Sequence, residues 1–280
     1  MKNIVRNWIK ILLVIICLCI VITANAQTKI LPLGDSITQA KQGHNSYRRA
    51  LWKKLKNSGY EVDFIGSQNT VYPHGNPLES DYDLDHEGHW GWRIDEIING
   101  RAKKVEDGKL TDWLEIYTPD IVLILLGTND AKQNQSVFSS VEEFKIIIDL
   151  LRKDNPNVVI LLAKITPLKK AKDNEKIIAL NKAIQGIAET KSTSQSPVII
   201  VDQYSEFSGA TDTYDGVHPN PVGEEKLATK WFISLKKLLN KPIPTVADTV
   251  PLSKGVTRHP LLTPDRPGQC LPREAVNTSM

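Results

Sequence analysis

Cysteine and aromatic residues are scarce in this sequence of 280 residues, which has 3 cysteines and an aromatic content of 6%. Cys17 and Cys19 lie in an apolar segment near the N-terminus, which leaves Cys270 alone in the rest of the chain. A single cysteine forms no internal disulfide, so this part of the chain is not one of the small secreted domains that disulfides hold together. Its stability has to come from a hydrophobic core, and residues 28–240 are long enough to form one domain.

Long apolar runs are equally scarce. Ile11 to Ile22 is an unbroken apolar run, but it is shorter than the roughly 20 residues that a membrane-spanning helix needs. Basic residues precede it, and the small residues Ala24 and Ala26 follow it in the pattern that signal peptidase reads. We therefore expect residues 1–26 to be a signal peptide that is cleaved after Ala26, and the protein to be secreted or periplasmic. The alternative is an uncleaved N-terminal anchor.

An excess of charge is absent once this leader is set aside. The whole chain has 35 basic and 32 acidic residues, and three of the basic residues but none of the acidic ones precede Ala26. Without those three the basic and acidic counts are equal. Binding to nucleic acid or to an anionic membrane calls for clustered basic residues, so the composition supports neither as a partner.

The rest of the sequence alternates short apolar runs with longer amphipathic segments. This pattern is typical of a parallel sheet with helices on both faces, so we expect an α/β fold with a central parallel sheet. The apolar runs predicted as strands are Ile30–Leu33, Val62–Ile65, Ile121–Leu126, Val158–Ala163 and Val198–Val201.

Helices between these strands are predicted from an apolar spacing of three or four residues and from their end signals. Ser140 and Glu143 are predicted to form a capping box, and Asn220 with Pro221 to begin the last helix. Residues 241–280 hold seven of the 16 prolines and no apolar periodicity, which predicts a disordered, proline-rich tail. The predicted apolar stripes are Val141, Phe144, Ile148 and Leu151, then Ile177, Leu180, Ile184 and Ile187, then Leu227, Trp231, Leu235 and Leu238.

Ser36 directly follows the first predicted strand, in the sequence Gly34-Asp35-Ser36. The carboxyl edge of the strands carries the active site in open α/β sheets. A serine at that edge can offer its hydroxyl as a nucleophile and its backbone N–H to an oxyanion. Asp-Ser is also a common helix cap, so the tripeptide alone leaves a structural role open.

Two further motifs fall in loops at the same predicted edge. Asn129 follows the third strand and can donate a hydrogen bond to an oxyanion without titrating, although asparagine is also a common turn residue. Asp215 and His218 precede the last helix, three residues apart. Asp215 can bond one ring nitrogen of His218 and leave the other to take a proton from a serine. Because Asn129, Asp215 and His218 follow Ser36 in this order, we predict that they form a catalytic site with it.

A fourth segment lies in the long connection after the second predicted strand. Gly91 lacks a side chain and can bring its backbone N–H close to an oxyanion. Metal-binding alternatives arise in the same connection, but neither spacing fits a known motif, so we expect no metal ion and no cofactor. Their residues are His86, Glu87 and His89 for zinc, and Asp81, Asp83 and Asp85 for calcium.

Taken in order, these motifs resemble the four sequence blocks of the SGNH, or GDSL-type, hydrolases. The resemblance spans nearly all of residues 27–240, the predicted catalytic domain, and implies a flavodoxin-like three-layer α/β/α sandwich. It implies that Ser36 is the nucleophile, His218 the base and Asp215 its partner. It also implies that Ser36, Gly91 and Asn129 form the oxyanion hole. The chain lacks the Gly-x-Ser-x-Gly elbow of the α/β-hydrolases, which argues against that family. The blocks are Gly34-Asp35-Ser36, Gly91, Gly127-x-Asn129-Asp130 and Asp215-x-x-His218.

Within the family, residues 62–67 and 86–92 resemble the acetylxylan esterase branch. That branch implies hydrolysis of acetyl esters, with O-acetyl groups on plant polysaccharide such as xylan as the expected substrate. Trp90 and Trp92 are candidate substrate-binding residues, and the alternative is that both pack against their own loop. Smaller residues are usual in that branch at the position of Trp90. Short-chain carboxylesterases, arylesterases and lysophospholipases share the four blocks, and a non-catalytic carbohydrate-binding protein of the same fold is a further alternative.

Overall fold

A parallel sheet forms the centre of the structure, a computed structural model that describes residues 27–102 and 104–239. The strands lie in the order β2-β1-β4-β5-β6, and the short β3 pairs with β1. All of these pairings are parallel. The predicted signal peptide and the predicted tail lie outside the described residues. The strands are β1 (Thr28–Gly34), β2 (Val62–Phe64), β3 (Glu87–Gly88), β4 (Ile121–Leu125), β5 (Val159–Lys164) and β6 (Val198–Asp202).

The five strands predicted from apolar runs are confirmed, with ends that move by one or two residues. Counted without β3, their order is 2-1-3-4-5, which is the flavodoxin-like order. β3 was not among the predicted strands, because its two residues contain no apolar run. This strand extends the pairing at the carboxyl end of β1, where Leu33 and Gly34 lie beside Glu87 and Gly88.

Helices of very different length connect the strands. One of them, α6 (Val137–Asp154), begins earlier than predicted. Ser136 caps it and accepts a hydrogen bond from the backbone N–H of Ser139 at 3.0 Å. The predicted capping box of Ser140 and Glu143 is therefore wrong, since both residues lie inside the helix. The helices are α1 (Ser36–Gln39), α2 (Ser46–Asn57), α3 (Ile94–Asn99), α4 (Leu110–Leu114), α5 (Thr128–Lys132), α6 (Val137–Asp154), α7 (Ala171–Lys191) and α8 (Pro221–Leu235).

Two hydrophobic clusters cover the two faces of the sheet. Alternate residues of one strand belong to different clusters, as the pleat of a strand requires: Val122 and Ile124 face one cluster, and Leu123 faces the other. Helices α3, α4, α6 and α7 pack on the first face, and α2 and α8 pack on the second. The layers are thus α/β/α, as predicted. The buried members of the predicted stripes on α6, α7 and α8 are Phe144, Ile148, Leu151, Ile177, Leu180, Ile184, Ile187, Leu227, Trp231 and Leu235.

The last helix begins as predicted, at Pro221, and the side chain of Asn220 accepts hydrogen bonds from the backbone N–H groups of Val222 and Gly223, both at 3.1 Å. Across residues 27–102 and 104–239, no helix combines the length and the apolarity needed to cross a membrane.

Candidate active site

Ser36 is the first residue of α1, just beyond β1, which lies between β2 and β4 in the sheet. The side chain of Asp35 accepts a hydrogen bond from the backbone N–H of Ile37 at 2.9 Å and so caps this single helical turn. Gly34 has to be glycine, since an added Cβ would lie 2.8 Å from the backbone oxygen of Leu125 on β4. This capped turn fixes the position of Ser36, which has 4% of its surface exposed. Burial raises the pKa of Asp35 to about 6.

His218 joins Ser36 to Asp215. Its Nε2 lies 2.9 Å from the Ser36 hydroxyl oxygen, and its Nδ1 lies 2.7 Å from a carboxylate oxygen of Asp215. The other carboxylate oxygen of Asp215 accepts hydrogen bonds from the backbone N–H groups of Val217 and His218, at 3.0 Å and 2.8 Å. These two backbone hydrogen bonds hold the carboxylate in place, so that its other oxygen can orient the ring. The structure brings these three predicted residues together in hydrogen-bonding order.

Burial and hydrogen bonding act in opposite directions on the pKa of His218 and on that of Asp215. Burial lowers the pKa of His218 below its ordinary value, and the hydrogen bond to Asp215 only partly offsets it. Burial works to raise the pKa of Asp215, but the hydrogen bonds from His218 and Val217, together with the charge of His218, leave the pKa below its ordinary value. At neutral pH the ring is therefore neutral and its partner ionised, which is the state in which an imidazole accepts a proton.

The predicted oxyanion donors Gly91 and Asn129 follow β3 and β4, so both lie at the carboxyl edge of the sheet. Gly91 has φ of +78°, a left-handed conformation that favours glycine, and an added Cβ would meet no atom within 4 Å. The side-chain amide of Asn129, on α5, donates to the backbone oxygen of Trp92 at 2.8 Å. That bond ties the loop of Gly91 to the end of β4. It uses one of the two amide hydrogens of Asn129 and leaves the second for another acceptor.

Aromatic rings surround His218. Trp90 stacks on the imidazole with ring centroids 4.5 Å apart, and Tyr72 stacks on Trp90 at 4.7 Å. Tyr214 lies parallel to the imidazole at 5.7 Å, and His44 stacks on Tyr214 at 4.0 Å. Sequence reasoning missed His44, Tyr72 and Tyr214, although the position of Tyr214 next to Asp215 was a signal for it.

Trp92 does not lie on the surface of this crevice. It is 1% exposed and contacts the rings of His89 and Trp113 in the core. The prediction that Trp92 binds substrate is therefore wrong, because a side chain that is closed off from solvent offers no face to a sugar. Trp90 is half-buried, and its indole already has Tyr72 and His218 as stacked partners.

A small pocket opens beside Ser36 and His218, with an empty volume of about 220 Å³. This volume includes space that is open to solvent, so the enclosed room beside Ser36 is smaller still and suits a small group. Glu224 of α8 lines the pocket and is 8% exposed, and burial raises its pKa to about 7. His44 and Tyr214 line it as well.

A second histidine–carboxylate pair is buried behind the loop of Gly91. His89 Nε2 lies 2.6 Å from Glu87, and both side chains are closed off from solvent. Glu87 also accepts hydrogen bonds from the backbone N–H and the hydroxyl of Ser67, at 2.8 Å and 2.7 Å, and from the hydroxyl of Tyr117. This network joins β3 to the segments on either side of it.

The residues considered as metal ligands are held by protein groups. One ring nitrogen of His86 lies 3.1 Å from the Thr70 backbone oxygen, and the other accepts from the Gly88 backbone N–H at 2.9 Å. Asp81 pairs with Arg49, and Asp83 accepts from the Phe64 backbone N–H. Within the described part of the chain, three carboxylates approach each other, those of Asp95, Asp130 and Glu143, and they belong to neither predicted set.

The fold and this crevice define a class, the hydrolases with a flavodoxin-like parallel sheet that place a serine, a histidine and an aspartate at its carboxyl edge. The model of the GDSL-like lipase/acylhydrolase family matches residues 33–226, and the chain belongs to this family. A multidomain esterase of Ruminococcus flavefaciens is 31% identical over 232 residues, which cover 78% of this chain and 29% of that protein. The chain therefore matches less than a third of the length of that relative.

Solved structures of similar proteins include two carbohydrate esterases of family 3. The one from Talaromyces cellulolyticus is 31% identical, has a TM-score of 0.64, and matches 76% of this chain and 98% of its own. The one from Clostridium thermocellum is also 31% identical, has a TM-score of 0.62, and matches 76% of this chain and all of its own. The predicted family and the predicted fold are both confirmed.

Proposed function

We propose that this protein is a serine esterase that removes O-acetyl groups from plant polysaccharide such as acetylated xylan. The observation that carries the proposal is the pair of hydrogen bonds that links Ser36 through His218 to Asp215, at 2.9 Å and 2.7 Å. A buried serine hydroxyl next to a neutral imidazole is the arrangement by which proteins generate an oxygen nucleophile at neutral pH.

The reaction is acyl transfer in two halves. The Ser36 oxygen attacks the ester carbonyl while its proton moves to Nε2 of His218, and the sugar alcohol leaves with that proton. Water then attacks the acetyl–Ser36 ester and loses a proton to His218, which passes that proton to the departing Ser36 oxygen. The acetic acid that is released ionises to acetate. The backbone N–H groups of Ser36 and Gly91 and the free amide hydrogen of Asn129 stabilise the oxyanion in both halves. No step needs a metal ion or a cofactor.

Two observations support acetyl as the acyl group and carbohydrate as the alcohol. The pocket beside Ser36 is small, about 220 Å³, which favours a short acyl chain. The two family 3 structures are carbohydrate esterases, and this chain spans nearly their whole length. We also propose that residues 1–26 direct secretion to the periplasm or beyond, as the basic and apolar pattern of that segment indicates.

The test is acetate release from acetylated xylan by residues 27–280 and by the Ser36→Ala variant, with 4-nitrophenyl acetate as a second substrate. We expect release from both substrates and its loss in Ser36→Ala by roughly a millionfold in kcat, as for other triad serines. Ser58→Ala, at the far end of α2, is the matched control and should keep full activity.

Each other outcome changes the proposal in a defined way. Activity on the aryl ester alone would keep Ser36 as the nucleophile and remove polysaccharide as the substrate. Faster hydrolysis of long-chain esters would point to a lysophospholipase. Glycan binding without turnover, unaffected by Ser36→Ala, would show a carbohydrate-binding protein.

A further inference from the structure

The two hydrogen bonds of His218 do not by themselves fix the plane of its ring. Its Nδ1 is bonded to Asp215 and its Nε2 to Ser36, at 2.7 Å and 2.9 Å. Bonds to two atoms of one planar ring define a line, and the ring can still tilt about that line. A tilt turns the Nε2 lone pair away from the Ser36 proton, and misplacement of a catalytic group by about 1 Å can cost a hundredfold in rate.

Trp90 restrains that tilt. Its indole lies within 19° of parallel to the imidazole, with the ring centroids 4.5 Å apart, so it contacts the ring face directly. The ring of Tyr214 is also within 19° of parallel to the imidazole, but the centroids of these two rings are 5.7 Å apart. Of the two stacked neighbours, Trp90 therefore makes the closer contact.

Trp90 is itself held from two directions. Tyr72 stacks on the indole at 4.7 Å, and the backbone of Tyr72 is bonded to Ala40 and Gln42, which follow α1 directly. The backbone N–H of Trp90 donates to the side chain of Gln39, the last residue of α1, at 2.8 Å. Because Ser36 begins the same helical turn, the nucleophile and the ring that holds its base share one support.

The indole also changes the electrostatic surroundings of His218. The face of an aromatic ring is negative and attracts a cation placed over it. His218 becomes a cation when it takes the Ser36 proton, so the stacked indole stabilises the charged ring as the tetrahedral intermediate forms. An aliphatic side chain has no negative face and does not attract a cation in this way.

We propose that Trp90 is a positioning residue for His218, which holds the plane of the imidazole and stabilises its protonated form. This inference rests on the proposed function of Ser36 and His218. It replaces a role for Trp90 as an open platform for sugar, because the indole is stacked against protein rings.

The test compares Trp90→Leu with Trp90→Phe, which shorten the side chain to a similar degree and differ in the aromatic face. With 4-nitrophenyl acetate, we expect Trp90→Leu to lower kcat by about tenfold to a hundredfold, with little change in KM. Trp90→Phe should recover most of that loss. Trp52→Leu is the matched control, because Trp52 is also half-buried but packs against Phe64 in the layer of α2.

The second measurement follows the titration of the His218 ring by NMR, which does not depend on turnover. We expect the midpoint in Trp90→Phe to lie about half a pH unit above that in Trp90→Leu, because only phenylalanine keeps a face that attracts the cation. This measurement remains informative if the wild-type protein hydrolyses no ester, an outcome that would sink the proposed function alone.

Two results would overturn the inference. Equal kcat values and equal midpoints in the two variants would show that the aromatic face has no effect on His218. A rise in KM for acetylated xylan, with kcat for the aryl ester unchanged, would show that Trp90 binds substrate and does not position the base.

Discussion

Within residues 27–102 and 104–239, two histidine–carboxylate pairs are nearly equal in length, His218 with Asp215 at 2.7 Å and His89 with Glu87 at 2.6 Å. They differ in access. The Asp215 side chain is 42% exposed and the His218 ring faces Ser36. Glu87 and His89 are closed off from solvent, and the His89 ring stacks on Trp92 and Trp113.

The difference shows that the pair alone does not make a catalytic site. A base needs a free ring nitrogen in reach of a reacting proton, and a substrate needs a path to it. His218 has both because its loop lies at the carboxyl edge of the sheet. His89 is buried against Trp92 and Trp113, and Glu87, its partner on β3, also binds Ser67 and Tyr117.

The largest effect that separates the two pairs is expected in catalysis. Asp215→Asn keeps the shape of the side chain but removes the charge that orients the ring and stabilises its protonated form. We expect kcat for 4-nitrophenyl acetate to fall by about 10⁴-fold. The urea unfolding midpoint should stay close to that of the wild type, because the side chain is partly exposed and asparagine keeps an oxygen that can accept the backbone hydrogen bonds. Retention of kcat would show that the pair at the crevice is structural after all.

The buried pair is expected to show the reverse. Glu87→Gln removes the charge that accepts hydrogen bonds from His89, Ser67 and Tyr117, and breaking a buried pair of this kind costs about 3 kcal/mol or more of unfolding free energy. For a domain of this size that lowers Tm by about 6–12 °C.

Thermal unfolding of Glu87→Gln, with kcat measured well below its Tm, checks this expectation. Ser205→Ala, which removes an exposed hydroxyl that donates to Asp202, serves as the control for loss of a single surface hydrogen bond. If Glu87→Gln left Tm unchanged and abolished turnover, the distinction between the two pairs would fail.

Glu224 resembles both pairs, since it lines the pocket of Ser36 as His218 does and is buried as Glu87 is. Burial raises its pKa from an ordinary 4.5 to about 7, so the folded protein binds a proton there that the unfolded chain releases. This contribution to stability is complete at low pH and is lost as pH rises through about 7. Between pH 6 and 8 it amounts to about 1 kcal/mol.

Glu224→Gln should lack this contribution, so that its Tm changes less between pH 6 and pH 8 than that of the wild type, by about 2–4 °C. The histidines whose pKa is lowered act in the opposite direction, but they do so in both proteins and cancel in the comparison. Identical pH dependence in the two proteins would show that Glu224 is ionised throughout the range.

Much of the fold could be predicted because its strands are buried on both faces. Such strands are continuous apolar runs, and Ile121–Leu125 is buried at every position. β3 could not be predicted, because Glu87 and Gly88 are held by pairing with β1 and by a polar network. The start of α6 was misplaced because Ser136 and Ser140 both resemble caps, and only the backbone decides between them.

The site was predictable where its residues lie close together in sequence, as Asp215 and His218 do, or follow a strand, as Ser36 and Asn129 do. Trp90 and Trp92 were indistinguishable from sequence, since two residues apart on an irregular loop they can face the crevice or the core. Only the fold brings the rings of Tyr72 and His44 onto Trp90 and Tyr214, the two neighbours of His218.

The most direct test of the central claim is the covalent state of Ser36 during turnover. Residues 27–280 are mixed with 4-nitrophenyl acetate, quenched with acid at the end of the burst, and digested for mass spectrometry. We expect an acetyl group on the peptide that contains Ser36, and none on that peptide in Ser36→Ala. Turnover that persists in Ser36→Ala, or acetyl found only on another side chain, would contradict the account.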